Sequence, residues 1–433
     1  MSFKHNSRII LGAVFGNLIE SFDMAICGLL SVYLAKYLMG DMSMGLLVIF
    51  VTFFAGYLVR PIGAFFLGLF SDVYGRKITL AASIIAMGSA TAGIGIIPGN
   101  SHIGHYSVML LLVFRVVQSF FCGVEYLNST AYLVENAKEN EKGFSGSWSS
   151  FGSTAGLLIA SIVAFFMANI IAKNAHYEWL IWRAPFLLAL LGSSIGLYIR
   201  VYLPESLEYI IYYSEKPKPK IATLLKSSIE YCANHKLKTI YVFILSCLGV
   251  TATFLFYIYG PTQAHILAGF SENDIMISNI ISLSVLLITY PAAGKLTDKI
   301  NKQKLIIASS IGLLLGSYVY FFALSAGNYK YYLLTQLLLS LPSGIYYATV
   351  PVLLTSMFPL QMRCTALSVI YSIAASLSAG LTPLFALVLI KKTQLANSPW
   401  LLIGALESLL LIIMLVNNYK KTASNFFLKP WFQ

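Results

Sequence analysis

Charged side chains inside two long apolar stretches of the sequence are the residues best placed to do chemistry. Glu20 and Asp23 stand three positions apart in the first stretch, while Arg115, Gln118 and Glu125 stand in a later one. At about 100° per residue, each set shares one broad face of a helix. A buried carboxylate can take up a proton, and a neighbouring arginine favours its charged form. We expect these side chains to line a polar cavity; in the alternative they pair with one another and hold two helices together.

The rest of the chain indicates what must position these residues. Hydrophobic residues make up 58% of the 433 positions and charged residues only 11%, against about 25% charged in soluble domains. The mean hydropathy is +0.76, and a soluble fold of this length could not hide so much apolar surface. Because a helix satisfies its own backbone hydrogen bonds in lipid, the sequence predicts an all-α membrane protein.

Twelve apolar runs are each long enough to cross a bilayer, which takes about 20 residues. They lie near 9–35, 43–70, 78–97, 107–135, 146–172, 181–203, 238–260, 275–296, 304–325, 331–356, 365–390 and 399–417. The basic residues between the runs are unevenly distributed. One set of loops, together with both termini, holds most of them, whereas the opposite loops hold only Lys36, Lys173, Lys330, Lys391 and Lys392. This positive-inside asymmetry predicts cytoplasmic termini. It also explains the net charge of +12 without a nucleic-acid partner.

Nothing in the sequence indicates an enzyme, a metal site or a cofactor. The cysteines are scattered without metal-ligand spacing, and no phosphate-binding loop or nucleophile–base pair is evident. They are Cys27, Cys122, Cys232, Cys247 and Cys364. Buried free thiols behave as small hydrophobic groups, so these residues are interpreted as structural.

The chain divides into two similar halves around a polar stretch rich in lysine and proline. The connection after the second run contains Gly68 and Asp72, and the connection after the eighth contains Gly294 and Asp298 at the same spacing. We therefore predict an N-terminal six-helix bundle (1–203), a central cytoplasmic loop (204–236), a second six-helix bundle (237–418) and a short tail (419–433). Such duplication is typical of transporters whose halves rock about a central site.

Several segments taken together resemble the major facilitator superfamily, and within it the metabolite–proton symporters that include proline and betaine carriers. They are Gly68–Lys77, Gly16-Asn17 with Glu20 and Asp23, Arg60–Gly63, Arg115–Gln118, Gly123–Tyr126, Gly143–Trp148, Trp182–Phe186 and Leu203–Ser206. The similarity is strong through the sixth run and weaker beyond it. Ser119 and Val124 replace glycines usual in the family, and no heptad pattern of the osmosensing members follows Asn417.

The resemblance implies a major facilitator fold and a functional assignment for further residues. It implies a cytoplasmic gate made of charged residues: Asp72, Arg76, Lys77, Glu135, Asp298 and Arg363. In the alternative, these charges only set the orientation in the membrane and are solvated. Tyr257 and Tyr346 are candidates for the substrate wall.

The function predicted on this basis is proton-coupled symport of a small polar metabolite across a bacterial inner membrane, by a protein that acts as a monomer. Arg60, Arg115 and Arg183 are expected to be balanced by Glu20, Asp23 and Glu125, which favours a zwitterion such as proline or glycine betaine. Tyrosines near the cavity could hold a quaternary ammonium by cation–π contact. The alternatives are a carrier of organic acids such as 2-oxoglutarate or citrate, a non-transporting sensor of the same fold, and a channel.

Overall fold

The computed structural model describes residues 3–39 and 42–423, and all regular structure in these ranges is helical. Residues 424–433, which make up most of the predicted tail, lie outside the described ranges. We number the long helices α1 to α12. They are Phe3–Leu29, Met42–Tyr74, Arg76–Ile96, Tyr106–Glu135, Lys142–Lys173, Ala184–Val201, Lys236–Phe254, Glu272–Lys299, Lys302–Ser325, Tyr329–Ser356, Arg363–Thr393 and Trp400–Ala423.

Shorter helical segments extend or connect the long helices. A helix Ser31–Met39 follows α1, and α7 continues through a π-helical turn Leu255–Tyr259 into Gly260–Ala268. The remaining segments are Asn100–Ile103, Glu139–Glu141, Ala175–Tyr177, Glu178–Ile181, Leu207–Glu215 and Ile221–Asn234.

The helices match the twelve predicted runs. In the described part of the chain, eleven helices are long and apolar enough to cross a membrane, and α12 carries a shorter apolar segment, Trp400–Val416. Since neighbouring helices and side chains can satisfy a freed backbone group in a membrane bundle, proline is tolerated inside several helices. Pro61, Pro291, Pro342, Pro351 and Pro383 are such positions. The predicted twelve-helix fold is confirmed.

Helices α1–α6 form one bundle and α7–α12 a second, and two helix pairs make the most extensive contacts between the bundles. Helix α2 packs along α11, and α5 packs along α8. These pairs are equivalent under the internal duplication, because α2 corresponds to α8 and α5 corresponds to α11. The space between the two bundles therefore lies on a pseudo-twofold axis, which is where a central site would form.

The central loop is more ordered than its lysine- and proline-rich composition predicts. Its helix Ile221–Asn234 packs Leu224 against Leu69, Val73 and Met362, which belong to both bundles. In its other helix, the Tyr209 hydroxyl donates a hydrogen bond of 2.6 Å to the Val73 carbonyl. Both helices of the central loop therefore dock onto the bundle ends through apolar and aromatic residues interspersed among the lysines.

Candidate functional site

A cavity of about 900 Å³ lies between the two bundles. It is lined by residues from the middle of the long helices and extends to Leu29 at the end of α1, Thr262 beyond the π-helical turn of α7, and Pro383 in α11. We call the end of the bundle that these residues approach the mouth face. The opposite end, which carries the α2–α3 connection, is the gate face.

The N-terminal bundle contributes all the charged residues of the cavity lining, which are Glu20, Arg60 and Arg115. One oxygen of Glu20, Oε1, accepts hydrogen bonds from Arg60 Nη2 at 3.3 Å and from the Cys122 thiol at 2.7 Å. The other oxygen, Oε2, is buried and has no hydrogen-bond donor among the described residues. Glu20 is therefore a carboxylate at the cavity wall in which one oxygen accepts two hydrogen bonds and the other accepts none from the described residues.

Arg115 has a different environment, because no described carboxylate forms an ion pair with it. Its Nη1 donates to Gln118 Oε1 at 2.5 Å, its guanidinium lies 4.3 Å from the ring centroid of Phe53, and its Nε has no acceptor among the described residues. Gln118 is itself fixed, since its Nε2 donates to the Asp23 carbonyl at 3.1 Å and to the Thr91 hydroxyl at 2.8 Å. Three helices thus orient a buried cation whose charge is not balanced locally.

The C-terminal bundle contributes an uncharged, aromatic wall. Tyr257 and Tyr346, both predicted from the sequence, are in the lining. The Tyr346 hydroxyl donates to the Leu245 carbonyl at 2.7 Å, and the Tyr257 hydroxyl lies 3.5 Å from that of Ser340. Further tyrosines complete the lining: Tyr57, Tyr126, Tyr290, Tyr347 and Tyr371. None of these five was predicted, because a lone tyrosine in an apolar helix is most often a packing residue.

The predicted balance of three arginines by three carboxylates was wrong, because no described carboxylate forms an ion pair with Arg115 or Arg183. Glu125 is fully buried outside the cavity lining, where it forms an ion pair with Arg200 of α6 and accepts a hydrogen bond of 2.5 Å from Ser83 of α3. Arg183 donates to the backbone carbonyls of Gly95 and Ile97 near the ends of their helices. Arg200 was overlooked because its position in the sequence suggests a loop charge.

Asp23 also lies behind the cavity wall rather than in it. The side chain is fully buried beside the Thr91 hydroxyl, and neither carboxylate oxygen has a hydrogen-bond donor of good geometry among the described residues. Gln118 is likewise outside the lining and acts on the cavity only through Arg115. The cavity therefore contains Glu20, Arg115, Tyr257 and Tyr346 of the predicted set.

Between the cavity and the gate face, neutral contacts join the bundles. The rings of Tyr126 in α4 and Tyr371 in α11 lie 5.4 Å apart. The Thr154 and Tyr290 hydroxyls are 2.9 Å apart, and Ser150 donates to the Tyr347 carbonyl at 2.7 Å. This layer closes the cavity toward the gate face.

At the gate face, charged groups alternate in sign along a continuous chain that crosses the two bundles. The order is Glu139, Lys142, Glu208, Arg363, Glu135, Arg76 and Asp72, with nearest N–O distances of 2.8 to 3.4 Å. Asp72, Arg76 and Glu135 are fully buried, whereas Glu208 is one-third exposed. Glu139, Lys142 and Glu208 were not predicted as members. Lys77 contributes only its backbone N–H, which donates to Glu205.

Two aspartates also cap helices across the interface. The backbone N–H groups of Cys364 and Thr365, at the start of α11, donate to Asp72 at 3.2 and 2.8 Å. The N–H groups of Gly143 and Phe144, at the start of α5, donate to Asp298 at 2.5 and 2.9 Å. Because the first N–H groups of a helix have no partner within it and carry partial positive charge, a carboxylate there is stabilising.

A third carboxylate caps a helix at the same face. Glu205 accepts hydrogen bonds from the N–H groups of Arg76 and Lys77, at the start of α3. Burial raises the pKa of the Glu205 carboxyl, and the hydrogen bonds from Ser206, Lys77 and Arg76 oppose that rise. The ion pair of Glu135 with Arg363 and the caps by Asp72 and Asp298 join the two bundles, so the gate face is closed in this structure.

These features define a membrane transporter, since a central cavity between two related bundles is closed at one face by contacts that two rigid bundles can break. The model of the Major Facilitator Superfamily matches residues 13–383 and 245–426. The chain belongs to this superfamily.

Relatives with curated names extend the comparison. A proline/betaine transporter of Salmonella typhimurium is 29% identical over 401 residues, covering 89% of this chain and 78% of the relative. A putative proline/betaine transporter of Staphylococcus aureus is also 29% identical, covering 90% of this chain and 83% of the relative. The chain is thus similar to proline/betaine transporters along most of its length, as its motifs predicted.

Solved structures agree with the fold. The proton:xylose symporter XylE bound to 6-bromo-6-deoxy-D-glucose superposes with a TM-score of 0.80, at 18% identity and covering 96% of both chains. The inward open conformation of the xylose transporter XylE from E. coli superposes with a TM-score of 0.64, at 18% identity and covering 95% of both chains. At this identity the likeness concerns the fold alone.

Proposed function

We propose that the chain is a secondary active transporter that carries a small zwitterion, such as proline or glycine betaine, together with a proton by alternating access. The observation that carries the substrate class is Arg115, a buried cation in the cavity lining with no described carboxylate partner. A substrate carboxylate would complete this site, because a guanidinium binds a carboxylate through two parallel hydrogen bonds.

The remainder of the cavity suits the positive end of such a substrate. Aromatic rings attract a cation placed over their faces, and the attraction is strongest where water is excluded. The tyrosine-rich wall offers such faces and carries no charge of its own. A dicarboxylate would need another free cation, whereas Arg60, the other arginine of the lining, is already paired with Glu20. Similarity to proteins named as proline/betaine transporters supports the same substrate class.

The proton site we propose is Glu20. It lines the cavity, and its Oε2 has no described donor, so that oxygen can accept a proton from cavity water. Its ion pair with Arg60 favours the charged form and burial favours the neutral form, so a small change in exposure alters proton occupancy. Opening of the cavity to one side and then the other would provide that change.

The proposed cycle uses the two faces alternately. The gate face carries the basic loops, so we assign it and both termini to the cytoplasm of a bacterial cell, in the inner membrane. The structure then corresponds to a state closed toward the cytoplasm. One chain supplies the whole described cavity, which supports a monomer as the working unit within the bilayer.

The test is uptake of labelled proline and glycine betaine into proteoliposomes, with and without an imposed inward proton gradient. Accumulation that requires the gradient and is lost with an uncoupler is the expected result. Uptake of 2-oxoglutarate or citrate in place of these substrates would overturn the substrate assignment. Binding without uptake would indicate a sensor, and uptake that counter-substrate does not accelerate would indicate a channel.

A further inference from the structure

The Cys122 thiol makes direct contact with the carboxylate to which we assign the proton. Cys122 lies on α4, is 1% exposed, and its Sγ donates to Glu20 Oε1 at 2.7 Å. The same oxygen accepts from Arg60 Nη2 at 3.3 Å, while Oε2 has no donor among the described residues. Two helices, α2 and α4, thus hold one oxygen of a side chain that belongs to a third.

We propose that Cys122 is a positioning residue for proton coupling: its thiol holds Oε1 of Glu20 against Arg60 and leaves Oε2 as the oxygen that takes the proton. This inference rests on the proposed function and adds a residue to it. Sequence composition alone suggests only a small hydrophobic role for a cysteine inside an apolar helix.

The physical argument concerns freedom of rotation and charge. A glutamate side chain has three rotatable bonds, and a single long contact with Arg60 leaves its orientation poorly defined. A second donor from α4 restricts that freedom. A donor to a buried carboxylate also stabilises the charged form, so removing the thiol makes the carboxylate hold its proton to a higher pH.

Other titratable and charged groups surround Glu20 and set the background for this effect. They are Asp23 on α1, Arg60 on α2, Cys122, Glu125 and Tyr126 on α4, Arg200 on α6 and Tyr371 on α11. Glu125 and Arg200 are paired with each other, and Arg60 is paired with Glu20 itself. Of these groups, Cys122 is the one neutral donor that bonds directly to Glu20.

The test is the pH dependence of proton-driven uptake by Cys122→Ala and Cys122→Ser in proteoliposomes. In Cys122→Ala, the pH of half-maximal uptake should rise by roughly half a unit, since the lost thiol is a weak donor to the carboxylate. Cys122→Ser keeps a donor and should restore the wild-type profile. Cys247→Ala removes another buried thiol, which bonds to no described carboxylate, and should leave the profile unchanged.

The outcomes separate this inference from the proposed function. If wild-type uptake needs no proton gradient, the proposed function fails. If wild-type uptake is proton-driven but Cys122→Ala keeps the wild-type pH profile, the positioning role is wrong. A purely packing role predicts the opposite order of variants, because Ser buries a hydroxyl in an apolar setting whereas Ala leaves only a small void. More damage in Cys122→Ser than in Cys122→Ala would therefore also overturn the inference.

Discussion

Asp72 and Asp298 make the same contact in opposite directions across the two bundles. Asp72 ends α2 and caps α11, whereas Asp298 ends α8 and caps α5. Each aspartate follows a glycine by four residues, and each glycine lies where its helix touches the capped one. A Cβ on Gly68 would lie 2.7 Å from Thr365 Cα, and a Cβ on Gly294 would lie 2.9 Å from Phe144 Cα. The repeated Gly and Asp therefore specify one docking geometry, used twice.

Loss of either cap should loosen the gate face. A cap of this kind is worth about 0.5–2 kcal/mol relative to alanine, so Asp72→Ala and Asp298→Ala should each shift the population away from the closed gate by roughly 2- to 30-fold. Spin labels on the exposed positions Tyr74 and Lys304, one in each bundle, would report the distance between the bundle ends by pulsed electron paramagnetic resonance. Unchanged distance distributions in both variants would contradict the capping role.

The glycines should act through shape rather than charge. Gly68→Ala places a methyl group against the backbone of Thr365, which cannot move aside, so the closed gate should be disfavoured and uptake reduced. Gly192→Ala is the matched control, because its nearest contacts are ordinary at 3.5 Å and involve the Ile19 side chain. The distance between the same two spin labels should increase in Gly68→Ala and stay the same in Gly192→Ala.

Arg115 should tolerate no substitution by lysine, although the charge is kept. A lysine cannot form two parallel hydrogen bonds with a carboxylate, so Arg115→Lys should weaken substrate binding by roughly tenfold or more. Arg183→Lys, which changes an arginine bonded to backbone carbonyls away from the cavity lining, should leave the binding constant unchanged. Calorimetric titration with proline or betaine measures both, and equal affinities in all three proteins would remove Arg115 from the site.

Glu125 should prove structural, because its partner Arg200 is buried with it. Glu125→Gln leaves the arginine without its counter-charge, and breaking a buried ion pair from one side costs about 3–5 kcal/mol. A large fall in melting temperature is therefore expected. The double variant Glu125→Leu with Arg200→Met should recover much of the loss. A Glu125→Gln protein of normal stability that had lost only uphill uptake would instead assign Glu125 to proton coupling.

At the gate face, the exposed end of the series of charged groups should contribute less to closure of the gate than the buried end. Glu208 is one-third exposed, and a solvated ion pair is worth about 0–1 kcal/mol. Glu208→Gln should therefore reduce the population of the closed gate only slightly, and this reduction should disappear as the salt concentration is raised. Glu135 is buried between Arg76 and Arg363, so Glu135→Gln should open the gate at every salt concentration. Equal effects of the two substitutions would contradict this gradient.

The sequence correctly predicted the features that depend only on residues close together in the chain. The glycine–aspartate spacing predicted a repeated turn at the bundle ends, and the apolar runs predicted the helices, because both depend on neighbouring residues only. Pairing between helices depends on how each helix is rotated, which no run of hydrophobic residues specifies. Glu125 lies about 80° from Arg115 around α4, and that difference is enough to direct it toward Arg200 of α6 and away from the cavity. The sequence balanced Arg60, Arg115 and Arg183 against three carboxylates only as a set, and the packing of α1 on α2 selects Glu20 as the partner of Arg60.

The division of the cavity lining into a charged wall and an uncharged wall has a consequence for how such proteins diversify. Glu20, Arg60 and Arg115 all belong to the N-terminal bundle, so replacements among the tyrosines and serines of the C-terminal wall leave the ionic balance intact. New substrate specificities can therefore arise by substitutions in the C-terminal half while the N-terminal half, which holds the proposed proton site, stays unchanged. A mutant library designed to change the substrate selectivity can therefore be confined to α7, α8 and α10.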